Sequence, residues 1–105
     1  MTSKTIALLD GDGIGPEIMA EAVKILKVVS KRNNMNFDLL HSPFGATAYF
    51  SDGDSFPAAT KNLCDNADAI LKGPIGLGFE ESKKIPIDMQ PERGALLPLR
   101  RRYNT

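Results

Sequence analysis

Residues Thr5 to Glu17, TIALLDGDGIGPE, decide the fold. Thr5 to Leu9 is a continuous apolar run, which suits a strand buried on both faces of a parallel sheet rather than one face of an exposed hairpin. Gly11, Gly13 and Gly15 then let the chain turn sharply, Pro16 fits the first turn of a helix, and Glu17 complements the helix dipole. Ile18, Ala22, Ile25, Leu26 and Val29 recur at helical spacing, so an amphipathic helix is expected to run to about Arg32.

Working outward, Asn33 and Asn34 mark a helix stop, and Asn36 to Leu40 reads as a second strand. Phe44-Gly45-Ala46 opens a short helical turn to about Phe50, and Ser51 to Ser55 is a loop by composition. Pro57 starts a helix to about Asn66 with Ala58, Leu63 and Cys64 inward, and Ala67 to Leu71 makes a third strand. Lys72 to Gly78 is a second glycine-bearing loop, Glu80 to Asp88 a long surface loop, and a last helix begins at Gly94. This order predicts an α/β fold over residues 1–105: a partial doubly wound, mostly parallel sheet with flanking helices. The last helix reaches Thr105 without a stop signal, so the chain is expected to be a truncated piece of a larger two-domain fold.

Composition narrows the function. The 105 residues are 42% hydrophobic and 25% charged with a formal net charge of zero, which is ordinary for a globular domain. No global charge draws the chain to nucleic acid or an anionic membrane, and no apolar run is long enough to span one, so a cytoplasmic protein is expected. Cys64 is the only cysteine and His41 the only histidine. A thiolate or histidine metal cluster is therefore not expected, and Cys64 reads as a small buried hydrophobe. Asp52 and Asp54 lack the remainder of a calcium loop and read as turn residues, and Asp10 and Asp12 as shaping the glycine turn.

Two stretches could carry chemistry. The glycine loop departs from the dinucleotide fingerprint, since Pro16 stands where the final glycine belongs, and no GK[ST] follows. By its residues it reads first as a structural strand-to-helix turn. Gln90 to Arg102, QPERGALLPLRRR, sets an acid, leucines and cations side by side. In a helix Leu96 and Arg100 lie one turn apart on one face, a pairing suited to a small molecule with an alkyl branch and a carboxylate. The same residues read equally as core leucines followed by a solvated basic helix end.

Both motifs, Gly11 to Glu17 and Gln90 to Arg102, resemble those of the 3-isopropylmalate dehydrogenases, members of the metal-dependent β-decarboxylating dehydrogenases. The resemblance covers essentially the whole chain but only about the first third of the family's enzymes. It implies a homodimeric, NAD-dependent oxidoreductase that oxidises and decarboxylates a small 2-hydroxy acid with Mg2+ or Mn2+, in branched-chain amino-acid (leucine) biosynthesis. It implies Arg100, Leu96 and Leu97 as substrate-binding, and Glu92, Ile14, Gly76 and Phe79 as cofactor-binding. The run GPIGLGFEE from Gly73 departs from the commonest form of the family's loop there. No catalytic residue and no metal ligand falls within this chain, so the isolated chain is expected to be inactive. Isocitrate, homoisocitrate, tartrate or malate as substrate, or a non-catalytic binding or assembly module, are the alternatives.

Overall fold

The computed structural model describes residues 2–76, 78, 81 and 83–104. Three parallel strands, β1 (Thr2–Leu9), β2 (Met35–His41) and β3 (Ala69–Lys72), form a sheet in the order β2-β1-β3. Ile6 pairs with both Leu39 and Ala69, which makes β1 central. Among the described residues four α-helices surround them: α1 (Gly15–Arg32), α2 (Ala46–Asp52), α3 (Ala58–Asn66) and α4 (Leu97–Tyr103). A 3₁₀ turn (Ile87–Met89) and a π-helical segment (Pro91–Leu96) lead into α4.

Because alternate strand residues face opposite ways, the apolar run of β1 feeds two cores. Ile6 and Leu8 pack with Met19 of α1, flanked by Val23 and Leu26. Ala7 and Leu9 pack on the other side with Phe44, Phe56, Cys64, Ala95 and Leu99. Helices therefore cover both faces, as a doubly wound sheet requires. The rings of Phe44 and Phe56 meet edge to face at 5.3 Å.

The element boundaries shift by a few residues from expectation, and several inward assignments are corrected. In α1 the stripe facing the sheet is Met19, Val23 and Leu26, whereas Ile18 and Ile25 are 47% and 65% exposed. Two neighbouring apolar stripes share the helical period, and spacing alone does not say which one meets the sheet. In α3, Thr60 rather than Ala58 is buried, its hydroxyl donating to the Pro43 carbonyl at 2.6 Å. Ser51 and Asp52 belong to the last turn of α2, which Gly53 ends in a left-handed conformation. The segment read as a surface loop before Gln90 carries a buried Ile85 and the 3₁₀ turn.

The last helix starts at Pro91, three residues earlier than expected, and its first turns are π-helical, with Leu97 N–H donating to the Glu92 carbonyl. Pro98 explains the widening. It has no N–H to return to Gly94, and its ring would strike that carbonyl in a regular α-turn. At the other junction the expected stop holds: Asn33 Nδ2 donates to the Val29 carbonyl at 2.8 Å, and Asn34 takes a positive φ of 52°.

Candidate functional site

The loops that leave β1, β2 and β3 gather at the carboxyl end of the sheet, and Asp12 ties them together. Its side chain is 2% exposed. Oδ2 accepts from the amides of Ala46 (2.9 Å) and Gly76 (2.8 Å), and Oδ1 from the amide and hydroxyl of Thr47 (both 2.7 Å). Its own amide donates to the Pro74 carbonyl at 2.8 Å. The buried charge is thus fully hydrogen-bonded, the condition for tolerating it inside a protein. Asp12 shapes the turn, as its position predicts, and also caps α2.

Two glycines make this approach possible. Gly11 holds φ +81°, and a Cβ there would run into the Pro74 carbonyl oxygen. Gly45 holds φ +92°, and a Cβ there would sit 2.7 Å from Asp12 Oδ2. At Gly11 the glycine loop therefore uses its lack of a side chain for loop-to-loop packing. Beside it, Asp10 Oδ1 and His41 Nδ1 lie 2.9 Å apart at the rim of a cavity of about 330 Å³ that includes Pro16, Phe44 and Thr47. His41 is exposed.

The other candidate residues are distributed over several surfaces. Ile14 caps the N-terminus of α1 with 59% of its surface exposed, and Gly76 is drawn to the same loop cluster through Asp12. Phe79 lies outside the described residues. Glu92 is exposed in the first turn of the π-helical segment. Leu96 and Arg100 do share a groove, of about 310 Å³, with Ile70, Lys72, Leu99 and Tyr103. Leu97, 44% exposed, lines a separate opening of about 420 Å³ with Arg100, Arg101 and Asn104. Arg100 is common to both, so the two leucines flank it rather than form one wall.

Sequence reasoning missed the partner of the basic helix end. Arg102 donates through Nε to Asp65 Oδ1 (2.9 Å) and through Nη2 to Oδ2 (2.6 Å), and the Tyr103 hydroxyl donates to Asp65 Oδ1 (2.7 Å). These hydrogen bonds, that of Arg102 first, hold the Asp65 carboxyl down at about 2. Burial, and then the bond to Asp65, push the Tyr103 hydroxyl up to about 12. Burial and the Asp65 charge raise the Cys64 thiol, which suits an inert core position. Asp65 and Arg102 are 37 residues apart, and no local pattern signals such a contact. Among the described residues no three of His, Cys, Asp and Glu gather in a way that could hold a metal ion.

Residues 5–105 match the family model described as isocitrate/isopropylmalate dehydrogenase. The chain belongs to that family. It is 45% identical over 103 residues to the 3-isopropylmalate dehydrogenase of Mannheimia succiniciproducens, covering 98% of this chain and 28% of that protein. Against the Geobacter sulfurreducens 3-isopropylmalate dehydrogenase the identity is 47% over 96 residues, covering 91% and 26%. Among solved structures, the apo β-decarboxylating dehydrogenase of Thermococcus kodakarensis superposes with a TM-score of 0.67 at 26% identity, over 93% of this chain and 26% of that one. The chain thus spans little more than a quarter of the length of these isocitrate/isopropylmalate dehydrogenase relatives.

Proposed function

We propose that residues 1–105 form the N-terminal segment of a cytoplasmic, homodimeric, NAD-dependent enzyme that oxidises and decarboxylates 3-isopropylmalate in leucine biosynthesis. Family membership supports the reaction class. The observation that carries the substrate is the groove that Leu96 and Arg100 line together. The guanidinium fork can grip a substrate carboxylate through two parallel hydrogen bonds. Leucine on either side of it suits an alkyl branch, whose burial gains about 0.8 kcal/mol per methylene, whereas a carboxylate at the same place would be buried unpaired.

Exposed Ile14, with Gly76 beside its loop, and Glu92 are assigned to the NAD side of the site, and NAD when bound supplies the hydride acceptor. The described residues offer no seat for Mg2+ or Mn2+, whose ligands the proposal assigns to polypeptide beyond this chain. The 105-residue chain alone is accordingly expected to give no turnover.

Steady-state assay of the complete polypeptide that carries this chain, with NAD and Mg2+ or Mn2+, tests the reading. 3-Isopropylmalate should be preferred over isocitrate, and Arg100→Ala should raise the KM for the acid. Replacing Leu96 and Leu97 together by Ser should narrow the preference, by about 10- to 200-fold if the lost contact amounts to one methylene of the substrate. Equal efficiency with isocitrate would overturn the assignment.

A further inference from the structure

We propose that Asp65 is a positioning residue for the substrate groove, acting through Tyr103 and Arg102; the inference rests on the assignment of Arg100 and Leu96 to the substrate. The groove between β3 and α4 is walled in part by Tyr103, the last residue of α4. The ring packs on the core that holds Ala95 and Leu99, and the hydroxyl is fixed on Asp65 Oδ1. Arg102 closes a two-pronged contact on the same carboxylate. Three hydrogen bonds from two consecutive residues fix the distance of the helix end from α3 and also its rotation, because side chains at neighbouring helical positions leave the axis about 100° apart.

Rotation is what the groove depends on. α4 has seven residues, and the π-helical segment before it lacks a regular ladder through Pro98. Its buried apolar anchors, Ala95 and Leu99, lie near one line and resist lifting better than turning. A turn of the helix would carry Arg100 and Leu96 away from Ile70 and Lys72, the β3 side of the groove. Exposed ion pairs add little to stability, so losing this one should register in substrate geometry more than in unfolding.

The test is the kinetics of Asp65→Asn in the complete polypeptide, which keeps the shape but removes the charge and turns one of the two acceptor oxygens into an NH2 donor that faces Arg102 or Tyr103. KM for the 2-hydroxy acid should rise about tenfold, the order expected of a small misplacement of a binding group. kcat and the KM for NAD should stay within about twofold. Tyr103→Phe, which keeps the ring and loses only the hydroxyl, should move the same KM in the same direction, and serves if the Asn variant does not fold. An unchanged KM for the acid in both variants, beside a raised one in Arg100→Ala, would overturn the positioning role and leave the substrate assignment standing. An unchanged KM in Arg100→Ala as well would overturn both. A parallel rise in the KM for NAD would mark a general structural defect and also overturn the proposal.

Discussion

Asp12 carries more of the site's architecture than any residue named for chemistry. With four bonds accepted by its two oxygens, it cannot be traded for its amide without turning an NH2 toward at least one donor. Asp12→Asn should therefore lower stability by about 2–4 kcal/mol, the cost of stranding buried donors and losing a charge-assisted set, as read from urea denaturation. That Asp12 shapes the turn was legible, because an acid between two glycines has few other uses. That its partners are Ala46, Thr47 and Gly76 was not, since they lie at the start of α2 and on the loop after β3. Arg100 beside Leu96 was legible from the i, i+4 spacing; the division of Leu96 and Leu97 between two openings depends on what packs around α4, which spacing does not encode.

At the scale of elements, the helix that carries Arg100 is shaped by Pro98, which widens its first turns, and by Gly94. Gly94 packs so closely that a Cβ would stand 2.8 Å from the Met89 Cα and 2.9 Å from its carbonyl carbon. Both atoms are backbone, so they have no rotamer by which to yield. Gly94→Ala should cost about 1–3 kcal/mol and disturb the hydrogen bond from the Ser55 hydroxyl to the Met89 carbonyl, checked by denaturation and by the chemical shifts of Ser55 and Met89. Strand and helix identities were readable chiefly because β1 and α1 are long and strongly patterned. The facing of α1 was not, because Ile18 and Ile25 compete with Met19 and Val23 at the same period, and only the sheet decides between them.

For the whole molecule, the exposed clasp between α3 and α4 adds a small, pH-dependent contribution to stability. Asp65 falls from an ordinary 3.8 to about 2 on folding, so its contribution is complete above about pH 4 and is lost as the pH falls toward 2. Tyr103 rises from 10.0 to about 12, so its contribution is complete below about pH 10 and is lost as the pH climbs toward 12. Thermal scans of wild type and Asp65→Asn should converge at the acid extreme and separate, with wild type higher, between pH 5 and 9; a constant gap down to pH 2 would contradict the linkage. The doubly wound plan itself was legible from the strand, glycine turn and helix at the start, because a strand buried on both faces needs helices above and below it. The loops joined by Asp12 also bear on the order of events in folding. The bonds from residue 12 span 34, 35 and 64 residues, so they close only after all three strands have found their neighbours. The carboxylate then acts as a late latch: removing it should hasten unfolding while leaving the refolding rate nearly untouched.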